Sequence, residues 1–180
     1  MDRTELLDDL VRAFVGVRRD PYQSIRQAQL CDRGMSSNPA TETEWRVAGK
    51  RDTEVDWNDV PDGAIDACDA SLSFFTPESW RFYLPAYIRR SLFHFSAPRF
   101  DRDFLGSVIF ALSLNDPMDG YKLERYKLLN SAQHQVVTHF LQLIESEALR
   151  LVEETNDFYS IYDDAKTALR SYWEAKRSDA

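Results

Sequence analysis

Apolar residues recur at intervals of three and four along most of this chain, a spacing that is typical of amphipathic α-helices. The first such run has its apolar positions at Leu6, Leu7, Leu10, Val11 and Phe14. Thr4 precedes the run as a suitable N-cap, and Asp20-Pro21 ends it because proline breaks the helical hydrogen-bond ladder. A short second helix is predicted from Tyr22 to Leu30.

The middle of the chain alternates between turn-forming residues and short helical signals. Arg33 to Ala40 is rich in turn formers and is predicted to be a loop. Thr41 and Glu44 have the spacing of a capping box, which predicts the start of a third helix. Residues 52–61 are expected to form an irregular acidic loop, after which Asp62 is a suitable cap for a short helix.

The densest aromatic segment of the chain lies between Phe74 and Leu92. Thr76 is a natural N-cap, and Pro77 suits the first helical position, where its missing N–H leaves no hydrogen bond unmade. One apolar face is predicted at Trp80, Leu84, Tyr87, Ile88, Leu92 and Phe95. Pro85 lies within this run and is expected to kink the helix or to divide it in two. We expect these rings to fill the interior of a helical bundle.

The remaining half of the chain is also largely helical in pattern. Further helices are predicted after an Asp101 cap, from Asn130 with Gln133, and after Ser160. Residues 115–120 are expected to form a turn, and residues 121–129 are compatible with either a short extended segment or a helix end. Low counts of Gly and Pro, 6 and 7, also argue against an all-β fold, which needs many turns. We therefore predict one compact all-α domain over residues 1–180, with about seven or eight helices.

Composition and cysteine usage suggest a cytoplasmic protein. No run of about 18 apolar residues occurs, so no membrane span is expected. The first residues are amphipathic and acidic, without the basic start and apolar core of a signal peptide. Cys31 and Cys68 are far apart and belong to no CxxC motif, so both are expected to be free thiols.

Negative charge is concentrated in one part of the chain. The net charge is -8, and residues 41–80 alone carry ten acidic against three basic side chains. We define the acidic strip as the seven carboxylates that follow one another without an intervening Lys or Arg, namely Asp52, Glu54, Asp56, Asp59, Asp62, Asp66 and Asp69. Such a strip repels nucleic-acid phosphates and attracts basic protein surfaces. The basic residues around Arg89-Arg90 are expected to pair with it rather than to bind nucleic acid.

A protein partner with a basic surface is therefore one explanation of the strip. Its candidate partner-binding residues are Asp52, Glu54, Asp56, Trp57, Asp59, Asp62 and Asp66. Trp57 is either an aromatic anchor for the partner or a hook that fixes the loop to the core. The simpler interpretation of the strip is a solvated face that only supports solubility.

The sequence also suggests an alternative, catalytic site, whose candidate residues are Glu78, Arg81, Tyr83 and His94. An acid, a base and a phenol on neighbouring turns can perform acid–base chemistry. Each residue also has a structural explanation, and no nucleophile with a base and an orienting group is visible. No zinc or nucleotide motif occurs, and the NDPMDG stretch fails as a calcium loop because Tyr126 takes the place of its final Glu. No cofactor is expected.

The stretch LSFFTPESWRFYLPAYIRRSL, Leu72 to Leu92, resembles the core motif of a bacterial family of unassigned function. A W-x-x-V-P pattern at Trp57 to Pro61 and the segment LNSAQHQVVTHFL at Leu129 to Leu141 look like parts of the same family pattern. The resemblance covers roughly residues 44–145. It implies kinship without implying a reaction, a cofactor or a partner.

Our leading hypothesis is a non-enzymatic protein-binding module, in the form of an immunity-like or antitoxin-like protein that uses its acidic surface. A small enzyme with a site near Arg81, Tyr83 and His94 is the first alternative. A structural or regulatory homo-oligomer that pairs through an exposed aromatic helix is the second.

Overall fold

Nine α-helices and no β-strand make up the part of the chain that the computed structural model describes, which is residues 2–35, 38–94, 102–114, 119–155 and 159–174. They are α1 (Arg3–Phe14), α2 (Ile25–Gly34), α3 (Glu42–Arg51), α4 (Asp62–Asp66), α5 (Pro77–His94), α6 (Arg102–Ala111), α7 (Asp119–Tyr126), α8 (Ser131–Thr155) and α9 (Tyr159–Ala168). Two 3₁₀ turns lie at Trp57–Asp59 and Asp69–Ser73, and α9 continues into a π-helical turn at Leu169–Trp173. The prediction of an all-α fold is confirmed.

The first two helices begin at different residues from those predicted. Asp2, not Thr4, caps α1, because its carboxylate accepts from the Glu5 amide at 2.9 Å while the Glu5 carboxylate accepts from the Asp2 amide at 3.0 Å. In the same way Ser24 and Gln27 form a reciprocal capping box that starts α2 three residues later than expected. A two-sided box stabilises a helix start more than a single side chain does.

Two other predicted caps are confirmed. The Glu44 amide donates to the Thr41 hydroxyl at 3.2 Å at the start of α3. The Ser79 amide donates to the Thr76 hydroxyl at 3.3 Å at the start of α5. The cap predicted at Asp62 is wrong, since Asp62 is the first residue of α4 and its side chain makes no cap hydrogen bond.

Helix α5 is not divided by Pro85. It is continuous from Pro77 to His94, although Pro85 cannot donate to the carbonyl of Arg81 one turn earlier. Burial holds it together, because α5 is surrounded by the core on most sides. Hydrophobic packing therefore offsets the lost hydrogen bond.

The α5 aromatic rings fill the interior, as predicted. Tyr83 stacks on Phe75 with ring centroids 4.7 Å apart, and Tyr87 stacks on Phe104 at 6.0 Å. Trp80 is fully buried. Phe95, the last residue of the predicted face, lies outside the described residues.

Residues 121–129 are helical at first and then turn, so the extended segment considered for them is absent. Helix α7 covers most of this stretch, and the chain then enters α8 through a cap at Asn130. The Asn130 side chain accepts from the Gln133 amide at 2.9 Å, which confirms the predicted start of this helix. The predicted Asp101 cap and residues 115–118 of the predicted turn lie outside the described residues.

One hydrophobic cluster takes residues from every described helix except α3. Helices α5 and α8 supply much of it, and α8 runs for about 37 Å at 1.5 Å per residue. None of the described helices combines the length with the hydrophobicity that a bilayer crossing requires. The candidate polar sites lie around the two ends of α5: Glu78 and Arg81 lie near its start, and the acidic strip contacts Arg89 and Arg90 near its end.

Candidate functional site

Asp52, the first residue of the acidic strip, is a structural residue. Its side chain is fully buried, and its Oδ2 accepts from the Arg26 amide at 3.1 Å while its Oδ1 pairs with the Arg26 guanidinium. The Asp52 carbonyl oxygen accepts from Arg19 Nη1 at 2.6 Å. These contacts tie the end of α3 to the start of α2, so this carboxylate cannot contact a partner in this conformation.

Trp57 is fixed to the core rather than turned outward. It is only 3% exposed and belongs to the central hydrophobic cluster, together with Val60 from the same turn. Of the two roles considered for Trp57, the structure supports the hook that holds the loop to the core. An interface anchor needs an accessible ring, which this residue does not offer.

Asp62 and Asp66 are paired with two arginines of α5. Asp62 accepts from Arg89 Nη2 at 3.0 Å and from Arg90 Nη1 at 3.3 Å. Asp66 accepts from Arg90 Nε at 2.8 Å and from Nη2 at 2.6 Å. The expected pairing of the basic segment with the strip is therefore confirmed, and it neutralises this end of the strip.

Arg89 of α5 also holds the turn at residues 57–60, in the middle of the acidic strip. Its Nη1 donates to the Asn58 carbonyl at 2.7 Å, and its Nη2 donates to the Val60 carbonyl at 2.8 Å. The turn is thus fixed to the core by the Trp57 ring and to α5 by the Arg89 hydrogen bonds. Its exposed side chains therefore project from an ordered backbone.

Three carboxylates of the predicted surface have no cation partner among the described residues. Glu54 is half-buried, while Asp56 and Asp59 are exposed. One Asp56 oxygen accepts from the Asn58 amide at 2.8 Å, and the other accepts no hydrogen bond from a described residue. Val55 between them is 64% exposed. We call Glu54, Val55, Asp56 and Asp59 the acidic edge.

The alternative site does not assemble as one group. Glu78 and Arg81 both line a cleft of about 300 Å³ next to the loop that follows α1. Tyr83 instead lies inside the core, between Phe75 and Phe82. His94 is the last residue of α5, and its side chain is outside the described part of the structure.

Sequence patterns did not indicate the rest of this cleft. Arg18 lines it from the α1–α2 loop, and Gln133 lines it from the first turn of α8. Arg81 Nε donates to Gln133 Oε1 at 3.1 Å. The sequence pattern indicates Gln133 only as part of a helix start, and it gives no indication that Arg18 belongs to a site.

The Tyr83 hydroxyl is buried, and although the Arg19 guanidinium and the Ile25 backbone lie near it, neither makes a hydrogen bond of full geometry to it. Burial raises the pKa of this phenol from 10.0 to about 12, and the nearby Arg19 guanidinium partly opposes that shift. The protonated form is thus favoured by folding. A base or nucleophile at neutral pH needs the opposite change, so Tyr83 does not have the environment of a catalytic group.

We predict that Tyr83→Phe leaves the free energy of unfolding at pH 7 within about 1 kcal/mol of the unmodified protein, because the hydroxyl it removes makes no hydrogen bond of full geometry. In the unmodified protein the contribution of Tyr83 is fully present below pH 10 and is lost as the pH rises toward 12. The variant should lose less stability across that interval, by about 1 kcal/mol per pH unit.

Urea unfolding at several pH values between neutral and strongly alkaline measures this difference. Tyr22→Phe is the matched control, since Tyr22 is 82% exposed and its variant should follow the unmodified protein. Equal alkaline losses for the Tyr83 variant and the unmodified protein would contradict the prediction.

Within the described part of the chain, no three His, Cys, Asp or Glu side chains come together in a way that could hold a metal ion. On the described part of α5, Phe93 is the one Trp, Tyr or Phe ring that faces outward, and Arg90 lies over it. The helix therefore presents little of the aromatic face that the homo-oligomer hypothesis assumed.

Comparison of the chain with curated proteins and with solved structures finds no match. A family model, described as that of a family of unknown function (DUF6714), matches residues 2–177. The match includes the segment from 44 to 145 that carries the motif resemblance and extends over both ends that lay outside it. The chain therefore belongs to DUF6714, a family of unknown function.

Proposed function

We propose that this protein is a non-enzymatic binding module of the bacterial cytosol, which presents its acidic edge to a basic surface of a protein partner. The observation that carries the proposal is that Asp56 and Asp59 are exposed without a cation partner among the described residues, although arginines pair with Asp52 before them and Asp62 after them. An immunity-like or antitoxin-like protein that covers a basic toxin surface is the concrete form we favour.

The support beneath the acidic edge favours binding. Trp57 and Val60 fix the turn from inside, and Arg89 donates to its carbonyl oxygens from α5. A surface that is already ordered loses little conformational freedom when a partner docks, so more of the contact energy remains as affinity. The turn therefore presents its carboxylates in a fixed arrangement.

The composition of the acidic edge also suits a protein partner. Exposed carboxylates accelerate association with a basic surface and disfavour acidic competitors. Val55 adds an exposed apolar side chain between two acidic ones. A basic protein surface with a small apolar patch would use both features, whereas a simple solvated face needs only the charges.

We predict that the double charge reversal Asp56→Lys and Asp59→Lys abolishes capture of the protein's partner from a lysate of the source cells. Capture should also be lost at about 0.5 M salt, where the Debye length is only about 4 Å. A pull-down at low and at high salt, with the captured protein identified and its charge determined, measures both effects.

The matched control reverses two exposed carboxylates elsewhere, Asp8 on α1 and Glu153 on α8. It changes the net charge by the same amount and should keep the partner. Failure to capture any basic protein at low salt contradicts the proposal. So does capture that survives reversal of the acidic edge, or that is lost equally in the control.

A further inference from the structure

A second surface feature, separate from the acidic edge, is the cleft at the start of α5. It has a volume of about 300 Å³ and lies between the loop after α1, the first turns of α5 and the start of α8. That volume is at the lower end of the range that small-molecule sites occupy. Its charged lining side chains are Arg18, Glu78 and Arg81.

Arg81 is held in place by a buried amide. Gln133 is 1% exposed, accepts from Arg81 Nε at 3.1 Å and donates its own Nε2 to the Ala13 carbonyl at 2.9 Å. The same side-chain oxygen, Gln133 Oε1, also accepts from the backbone N–H of Asn130 at 3.2 Å. Every polar atom of this glutamine side chain is therefore used to fix the arginine against α1 and α8.

The end of the Arg81 guanidinium remains available. Its Nη1 and Nη2 atoms donate to no described residue, and Glu78, one turn earlier on the same helix, forms no ion pair with it. Arg26, Arg89 and Arg90, by contrast, each pair with an aspartate. The two terminal nitrogens form a planar fork that matches the two oxygens of a carboxylate.

The other charged groups that line the cleft indicate which class of ligand it can bind. Arg18 is a second cation that is exposed and has no described partner, and it can add to the attraction for an anion. The positive end of the α8 dipole lies at Asn130, on the same wall. Glu78 has the opposite charge, so it repels a doubly charged phosphate and attracts a cationic group beside the anion.

We propose that the cleft binds a small α-amino acid or a close analogue, with its carboxylate on Arg81 and Arg18 and its ammonium group on Glu78. An α-amino acid carries both charged groups on one carbon atom. Glu78 and Arg81 are three residues apart on one helix, where side chains are neighbours about 5 to 6 Å apart at Cβ. The proposal does not depend on the acidic edge, which lies on a different turn.

Titration of the ¹⁵N-labelled protein with three probes tests it, namely alanine, acetate and inorganic phosphate. We expect saturable shifts at Arg18, Arg81 and Asn130, with alanine binding more tightly than acetate and phosphate binding weakest. Arg81→Gln should weaken alanine binding about tenfold or more, and Arg18→Gln should weaken it by a smaller factor. Glu78→Gln should weaken alanine binding without weakening acetate binding.

Arg150→Gln is the control, because it removes one positive charge from α8 about 30 Å away from Asn130, at 1.5 Å per residue. Its alanine affinity should equal that of the unmodified protein. The Arg18 variant keeps the test decisive if Arg81→Gln fails to fold, since Arg18 makes no described contact. Absence of saturable binding, preference for phosphate, or equal losses in the Arg150 and Arg18 variants overturns the proposal.

Discussion

Replacing Asp52 with asparagine lowers the free energy of unfolding by about 2 to 3 kcal/mol, because it removes the charge that compensates Arg26 in a largely buried site. The Asp52 side chain is fully buried, while that of Arg26 is 26% exposed. This partial exposure is why the expected loss is smaller than the roughly 3 to 5 kcal/mol typical of a broken, fully buried ion pair. Asparagine keeps only one acceptor oxygen, so in either orientation its NH2 group faces one of two donors, the Arg26 guanidinium or the Arg26 backbone N–H.

Asp56→Asn is the matched control for this measurement. It makes the same chemical change in the same strip, but Asp56 is exposed and asparagine caps a helical turn as well as aspartate does. Its free energy of unfolding should stay within about 0.5 kcal/mol of the unmodified protein. Urea unfolding with unchanged m-values measures both variants, and equal losses for the two would remove the structural role assigned to Asp52.

The different roles of Asp52 and Asp56 could not be predicted from the sequence. Both are aspartates four positions apart in one acidic strip, and both appear equally suited to solvent. Arg26, which pairs with Asp52, is 26 residues earlier, and Arg90, which pairs with Asp66, is 24 residues later. Burial and pairing over such separations depend on how the helices pack, which local composition does not contain.

Helix starts were predictable where a single local signal was present. Thr41, Thr76 and Asn130 each bind the amide three residues ahead, so sequence spacing alone indicates them. At α1 the predicted cap Thr4 was wrong, because Asp2 forms a reciprocal box with Glu5 and starts the helix earlier. A sequence shows where an N-cap residue can begin a helix, but it does not show as well which of two neighbouring polar residues forms the cap.

The cleft is the opposite case, because its parts are distant along the chain. Arg81 and Gln133 are 52 residues apart, and Gln133 reaches an Ala13 carbonyl that is 120 residues away. Among its charged side chains, only Glu78 and Arg81 are near neighbours in the sequence, and the sequence analysis placed both in one candidate site with Tyr83 and His94. Tyr83 follows closely in sequence but lies on another side of α5, inside the core.

Replacing Arg125 with methionine lowers the free energy of unfolding by about 3 kcal/mol or more, since it removes a buried donor from backbone carbonyls that have few other partners. Arg125 is 1% exposed and donates from Nη2 to Ser73 O at 2.8 Å, and from Nε and Nη2 to Phe75 O at 3.1 and 2.6 Å. Its guanidinium carbon lies 4.0 Å from the Tyr121 ring centroid. Burial lowers the pKa of Arg125, because a charged guanidinium is less stable away from water. The backbone carbonyls and the Tyr121 ring stabilise this cation where a carboxylate would usually do so.

The loss should be structural and should spread into the start of α5, because Ser73 and Phe75 immediately precede the Thr76 cap. Phe75 O keeps a hydrogen bond from the Tyr121 hydroxyl at 2.6 Å, whereas Ser73 O loses its side-chain donor. Arg150→Met is the matched control, since Arg150 forms only solvent-exposed ion pairs among the described residues, and its free energy of unfolding should stay close to that of the unmodified protein. Urea unfolding compares the two, and amide hydrogen exchange at the first turn of α5 should accelerate in the Arg125 variant alone. Equal stability of the two variants would mean that the carbonyls before α5 do not need this buried cation.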